Sequence, residues 1–165
     1  MNIRYQKFWG RILAIATIGV ASVALAGCSV IGNIIGGGTT TPGEGEDTDV
    51  FTIRVGDCLN DGGVQGEVSS VRAVDCSELH DSEAYASVIV DDGDFPGDSA
   101  LNDQAISDCS TEFGSFVGLD YDSSELDFSY YYPTEESWGQ DDREILCLMI
   151  DPSGQVTGSL RGAAR

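Results

Sequence analysis

The sequence predicts an α+β domain, in which a small, mainly antiparallel sheet packs with one principal helix and carries two disulfides. Three observations lead to this prediction. Short β-rich segments, separated by turn residues, stand on both sides of a single segment with helical periodicity. Four cysteines lie after position 50, and an even number is expected when a domain is cross-linked by disulfides.

Three strands are predicted before the helix. Segment 50–59 reads VFTIRVGDCL, is apolar and β-rich, and ends in the turn residues NDGG. Segment 68–76, VSSVRAVDC, has valines that alternate imperfectly, which favours a second strand. Segment 83–90, EAYASVIV, is the third and is ended by DDGDFPGD.

One helix is clearly predicted, beginning at Asp98 or Ser99, since either side chain can cap its N-terminus. Apolar residues then recur every three or four positions, so they share one face of the helix, and the acidic residues lie off that face. The apolar residues are Leu101, Ala105, Cys109, Phe113 and Phe116. Gly118 is a natural stop.

The remaining strands are predicted after the helix. Segment 126–133, LDFSYYYP, is a fourth strand. Segment 143–150, REILCLMI, is a fifth, and its continuous apolar run indicates a central position buried on both faces. After the turn DPSG, segment 155–160, QVTGSL, is a candidate sixth strand that would close the sheet.

Residues 1–27 are predicted to be a signal peptide rather than part of the fold. Three basic residues precede the uncharged apolar segment ILAIATIGVASVALAG. The following LAGC, Leu25–Cys28, resembles the lipobox of bacterial lipoproteins, which implies that Cys28 becomes an acylated N-terminus carrying fatty chains such as palmitate. An uncleaved signal anchor is the alternative, which the glycine and asparagine interruptions disfavour. Either interpretation predicts a cell-membrane protein whose remaining chain lies on the extracytoplasmic face.

Composition divides the rest of the chain into a tether and one domain. Residues 28–49 are rich in glycine, threonine and acids and are predicted to be a flexible tether. Residues 50–165 suffice for one core. All 28 acidic residues but only five arginines follow Cys28, a net charge of −23. Such a surface repels phosphate backbones, so no nucleic-acid partner is expected.

Two disulfides are predicted, because four cysteines remain once Cys28 is assigned to lipid and the compartment is oxidising. Of three pairings we favour Cys58–Cys76, which joins two successive strands, and Cys109–Cys147, which links the buried helix face to the predicted central strand. Zinc is the alternative for these sulfurs. It is disfavoured because the spacings contain no C-x-x-C and the chain has one histidine.

Several short motifs together resemble the septum-formation-related domain of actinobacterial membrane proteins and lipoproteins. In order they are VGDCL at 55–59, CSELHDSEAYA at 76–86, ISDCSTEFGSFVG at 106–118, PTEESWGQDDREILCLM at 133–149 and TGSLRG at 157–162. Leu79, where proline is common, and the longer WGQDDR depart from the pattern. The resemblance implies two structural disulfides and an envelope role linked to division, and no catalytic residues.

His80 is the residue on which an enzymatic function would depend, because it is the only histidine. It could act as a general base with a carboxylate, but such groups usually converge from distant segments. We therefore favour a structural role, in which the ring holds its loop against the sheet beside Arg143 or an acid. The alternative catalytic partners in its neighbourhood are Ser77, Glu78, Asp81, Ser82 and Glu83.

Two further groups are candidate binding sites. Tyr131 and Trp138 belong to an aromatic cluster that is either core or, on one face, a platform for carbohydrate or peptide. Arg143, after two aspartates, is expected to form a salt bridge with one of them. Asp91–Asp94, with Asp98 nearby, could hold calcium but lacks the EF-hand spacing, so a solvated acidic turn is favoured.

The sequence therefore predicts a non-enzymatic envelope lipoprotein with an extracytoplasmic binding or scaffold domain. Its expected partners are the membrane, through the lipid anchor, and an envelope protein or cell-wall component. No cofactor and no metal are expected. A wall-active hydrolase that uses His80 with a carboxylate and a calcium-dependent envelope binding module remain the alternatives.

Overall fold

The structure is a computed structural model that describes residues 2–3, 46–62 and 66–165. Cys28 and nearly all of the predicted signal peptide and tether lie outside these residues, so the predictions made for them remain predictions. Within the described ranges, no helix combines the length and the apolar character that crossing a bilayer requires.

The described residues form eight strands and two helices. The strands are β1 Asn2–Ile3, β2 Glu46–Asp49, β3 Cys58–Asn60, β4 Gly66–Glu67, β5 Ser70–Val74, β6 Ser82–Ile89, β7 Asp127–Tyr131 and β8 Glu144–Ile150. The helices are α1 Asp98–Val117 and α2 Glu135–Trp138. Six strands form a curled antiparallel sheet in the order β2-β5-β3-β6-β8-β7, and β1 pairs with β4. The α+β prediction is confirmed.

Strand β8 is buried on both faces, as its continuous apolar sequence predicts. Alternate side chains of a strand point to opposite faces. Cys147 and Met149 therefore belong to the core beneath α1, whereas Leu146 and Leu148 belong to a second core. The curled first half of the sheet supplies the rest of that second core, including Leu59. One strand thus separates two hydrophobic cores.

Helix α1 buries the predicted stripe of apolar residues, and all five members are buried. Its N-terminus differs from the prediction, because Gly97 occupies the cap position with φ 92° and no side chain caps the helix. Asp98 is instead the first helical residue, and its negative carboxylate is stabilised by the positive end of the helix dipole. Gly118 ends the helix in the left-handed conformation, as predicted.

Both predicted disulfides are confirmed. Cys58–Cys76 joins β3 to the loop after β5, with 5.2 Å between the Cα atoms. Cys109–Cys147 joins α1 to β8, with 5.5 Å between the Cα atoms, and both residues are fully buried. In the chain-entropy model these closures contribute about 3 and about 4 kcal/mol to the free energy of unfolding.

Strand β6 contains a β-bulge, because Ala84 pairs with Leu148 while Ala86 pairs with Cys147, so Tyr85 is an extra residue. Tyr85 points into the core beneath α1, and its hydroxyl donates to the Cys109 carbonyl oxygen at 2.6 Å. Burial raises the pKa of this phenol above its ordinary value.

Three segments differ from the predicted elements. Val50–Thr52 form a 3-10 turn rather than the start of a strand, so the first predicted strand is reduced to Cys58–Asn60. Glu46–Asp49, placed in the tether by composition, pair with β5. The predicted sixth strand at 155–160 is wrong, because within this segment only Val156 forms a β-bridge, to His80 in the loop before β6.

We predict that the Cys109→Ala/Cys147→Ala double variant loses about 4 kcal/mol of unfolding free energy, and Cys58→Ala/Cys76→Ala about 3 kcal/mol. Both losses are large against the 5–15 kcal/mol typical of a domain. Urea unfolding followed by circular dichroism measures them. An unchanged midpoint for the α1–β8 pair would contradict the stabilising role assigned to this cross-link.

Candidate functional site

The predicted site residues do not converge on one place. Antiparallel pairing puts Ser82 opposite Ile150 and Ile89 opposite Glu144, so the two ends of the β6–β8 pair are about 20 Å apart. His80 precedes the first end, and Arg143 precedes β8 at the other end. The expectation that Arg143 neighbours His80 is therefore wrong.

His80 is fully buried in the loop between β5 and β6. Its backbone N–H donates to Val156 O at 2.9 Å, and its carbonyl oxygen accepts from Val156 N at 3.0 Å. The ring Nδ1 lies 2.9 Å from Glu78 O, and since a carbonyl only accepts, Nδ1 carries the proton. Nε2 is buried without a hydrogen-bond partner among the described residues. Within the ranges that the structure describes, no carboxylate is hydrogen-bonded to the ring, and Nε2 is shielded from solvent.

Three of the five side chains predicted as alternative partners of His80, those of Asp81, Ser82 and Glu83, form hydrogen bonds with other groups. Buried Glu83 accepts from Ser159 Oγ at 2.7 Å and from Leu160 N at 2.8 Å, which holds the C-terminal segment against β6. Ser82 Oγ donates to Asp61 Oδ2 at 3.4 Å. Asp81 Oδ2 accepts from Gly62 N at 3.0 Å. A nucleophile–base–carboxylate arrangement is not formed by these side chains.

The tyrosines of the aromatic cluster are core residues. Tyr131 is fully buried in the second core, and its hydroxyl donates to Asp61 Oδ2 at 3.1 Å. Tyr130 and Tyr132 point the other way, into the core beneath α1. Both faces of this part of β7 are therefore covered, and the alternative of an exposed tyrosine platform is wrong. Tyr131 offers no surface to a ligand.

Trp138, the last residue of α2, and Arg143, which directly precedes β8, are brought together by the tight turn between these two elements. The Arg143 guanidinium carbon lies 3.8 Å from the centre of the Trp138 ring, a cation–π contact. Nη1 of Arg143 donates to Trp138 O and to Asp142 O, each at 2.8 Å. The Trp138 indole N–H donates to Gly93 O at 3.0 Å, so the acidic loop before α1 closes over the pair.

The salt bridge of Arg143 is made with a different acid from the one predicted. Nε lies 3.3 Å from Asp92 Oδ1, whereas Asp142 contacts Arg143 only through its backbone carbonyl. The Asp142 carboxylate accepts two hydrogen bonds within its own turn, from Ser137 Oγ at 2.8 Å and from Glu144 N at 3.1 Å. The side chain of Asp92 is 96% exposed, so this pair contributes little to stability.

A groove of about 510 Å³ opens beside this turn, and we call it the Ile89 groove. Its lining residues are Phe51, Ile89, Ser137, Gln140, Asp141, Asp142, Arg143 and Glu144. Ile89 is 68% exposed and Phe51 is 48% exposed, although both are large apolar side chains. The groove thus combines apolar surface with three carboxylates and is the candidate binding site.

Sequence reasoning identified Arg143 of this groove but missed Ile89 and Phe51. Ile89 belongs to the apolar run VIV, which predicts a buried strand end. Phe51 belongs to a segment that is predicted to be a strand. Their exposure depends on where the second core stops, which is a property of the tertiary structure. The signal that was available is DDRE at 141–144, since three charged residues before a buried strand and a fourth at its first position mark an exposed strand end.

No three His, Cys, Asp or Glu side chains within residues 2–3, 46–62 and 66–165 are grouped as metal ligands. The acidic turn Asp91–Asp94 therefore presents no such group in the structure. At this turn the exposed Asp92 carboxylate lies 3.3 Å from Nε of Arg143.

One family model, described as septum formation, matches residues 55–164, about two thirds of the chain. The match spans both disulfides, His80, α1 and the Trp138–Arg143 turn. No curated protein and no solved structure matches the chain.

We predict that His80→Ala lowers the unfolding free energy by roughly 3 kcal/mol, because a fully buried ring and its hydrogen bond are lost. Protein that still folds at low temperature should keep the cellular role of the domain, because the ring is fully buried and exposes no surface to a ligand. A thermal melt together with a functional assay tests this. Lost function with an unchanged melting temperature would contradict the structural role.

We predict that Arg143→Met lowers the unfolding free energy by roughly 2 kcal/mol, through loss of the cation–π contact and of donors to two carbonyls. Arg72→Met is the matched control, because Arg72 is exposed on β5, and its effect should stay within about 0.5 kcal/mol. Urea unfolding measures both. Equal stability of the two variants would show that the Trp138 contact contributes nothing.

Proposed function

The chain belongs to the septum formation family, and from that premise we propose that it is a non-enzymatic lipoprotein of the cell envelope. In this proposal Cys28 anchors the protein in the membrane through fatty acyl chains. The domain lies on the extracytoplasmic face, at the end of a tether, and binds an envelope protein or cell-wall component during septum formation.

The family match over residues 55–164 is the observation that carries the proposal, because it covers nearly the whole folded domain and describes a septum-related role. The lipobox-like Leu25–Cys28 after an apolar segment supports the anchor. Two disulfides support an oxidising compartment, since such bonds rarely persist in the cytosol.

A binding role rather than a catalytic one is supported by the geometry around His80. General base catalysis requires a nitrogen within hydrogen-bond reach of the substrate proton. Nε2 of His80 is buried, and the side chains of Ser82 and Glu83 bond to groups other than the His80 ring. The Ile89 groove, in contrast, is open and has apolar surface left to cover.

The experiment compares the full-length protein with Cys28→Ala and with Ser29→Ala, a control that leaves the acylated sulfur in place. Each is produced as a C-terminal fluorescent fusion in the organism's own cells. We expect the wild type and Ser29→Ala to be acylated by intact mass, to sediment with membranes and to concentrate at division sites. Cys28→Ala should lose the acyl mass and the membrane fraction.

Two outcomes would overturn parts of this proposal. An unchanged mass and membrane fraction for Cys28→Ala would show that this thiol carries no lipid anchor. A wild-type fusion spread evenly around dividing cells would argue against a role at the septum.

A further inference from the structure

We propose that the Ile89 groove binds a positively charged peptide segment that also carries an apolar side chain, presented by a partner protein in the envelope. This inference rests on the binding role proposed above and names the chemistry of the partner. It is carried by three features of the groove: exposed apolar side chains, carboxylates, and an arginine whose guanidinium already contacts the Trp138 ring and two backbone carbonyls.

The apolar part of the groove is formed by Phe51 and Ile89, which come from segments 38 positions apart. Ile89 ends β6 and is 68% exposed, and Phe51 in the 3-10 turn is 48% exposed. Their neighbours in sequence are buried, since Val50 and Val90 are core residues. Covering such a side chain removes apolar surface from water, so a ligand with one apolar side chain would be favoured here.

The polar part of the groove carries three carboxylates, and hydrogen bonds hold two of them in position. Asp142 accepts from Ser137 Oγ and Glu144 N, and Glu144 accepts from Ser87 Oγ. Asp141 is exposed in the same turn, with φ 67°. A ligand cation would therefore meet carboxylates whose orientation costs little further entropy.

Arg143 does not make the groove a site for anions. Its Nη1 already donates to two backbone carbonyls, its plane lies against Trp138, and its Nε faces Asp92. Three carboxylates and one engaged guanidinium line the groove, so its charge balance is negative. The net charge of −23 after Cys28 adds long-range attraction for a basic partner.

The same observations favour a peptide over a glycan. Sugars are usually bound through an exposed aromatic ring face, but Trp138 is buried and its ring is stacked by Arg143 on one face and contacted by Phe95 at its edge. The exposed groups are instead one aromatic, one branched aliphatic and several carboxylates. Lysine or arginine next to leucine or a similar residue complements that set.

The experiment measures fluorescence anisotropy of three labelled nonapeptides against the full-length protein in nonionic detergent. The probes are GSKKLKKSG, its Leu→Ser version and its Lys→Glu version, and empty micelles provide the blank. We expect GSKKLKKSG to bind most tightly, the serine version about tenfold more weakly, and the glutamate version not at all. Raising the salt should weaken binding, because exposed charges are screened.

Two matched pairs of variants place the binding in the groove. Ile89→Ser should weaken GSKKLKKSG binding about tenfold, and Ile106→Ser, at a 43% exposed position on α1, should leave it unchanged. Asp141→Asn should weaken binding severalfold at low salt, whereas Asp103→Asn on the exposed side of α1 should not. Asparagine tolerates the positive φ of position 141, and unchanged melts confirm that each variant is folded.

Equal losses in both members of a pair would overturn the inference, because binding would then reflect overall charge or hydrophobicity. Tight binding of the glutamate probe, or no preference for leucine over serine, would overturn it as well. These results are independent of the localisation experiment. A septal, acylated protein that binds none of the probes would refute the groove assignment alone, whereas probe binding by a protein absent from the septum would refute the proposed function.

Discussion

The disulfide between Cys109 and Cys147 is the constraint on which the arrangement of this domain depends. It ties the middle of α1 to the middle of β8, and both cysteines are completely buried. With one face of β8 held against the helix, the opposite face, Leu146 and Leu148, is left for the curled first half of the sheet. Both cores therefore use the same strand, and a small domain gains two buried layers from one central element.

The arginines show how this acidic chain uses its few positive charges. Arg143 lies over Trp138, Arg161 lies 4.6 Å from the centre of the Phe116 ring, and Arg165 pairs with Asp151. These contacts connect loops and the C-terminal segment to the folded body. Because 28 acidic residues and only five arginines follow Cys28, carboxylates dominate the charge of this part of the chain, and its long-range field is negative.

The elements predicted correctly from the sequence are those with a strong local pattern. The α1 stripe, the doubly buried β8 and both disulfides follow from periodicity, apolar runs and the limited number of cysteine pairings. The Val50–Thr52 turn was predicted as strand because β-branched and aromatic residues fit either conformation in a buried position. Segment 155–160 also has strand-like composition, but it is held by side-chain bonds from Glu83 rather than by a ladder.

The candidate site was less predictable, because its members meet only through tertiary structure. The salt-bridge partner of Arg143 is Asp92, a loop residue about 50 positions earlier in the chain. The sequence favours the adjacent Asp141 and Asp142 instead, because they are the nearest acidic residues before Arg143. Exposure of Ile89 depends on how far the second core extends, which no local pattern encodes. Burial of Tyr131 likewise depends on the sheet curling over its outer face.

The extra residue in β6 has a consequence for surface chemistry. If this strand were regular from Ala84 onward, side-chain alternation would place Ser87 opposite Ile145, with its hydroxyl inside the hydrophobic layer under the helix. Val88 would then take the position opposite Glu144, and Ile89 would turn away. The one extra residue in β6 thus determines which aliphatic side chain is exposed at the end of this strand. An insertion or deletion near position 85 would expose a different side chain there, although the amino-acid composition would be almost the same.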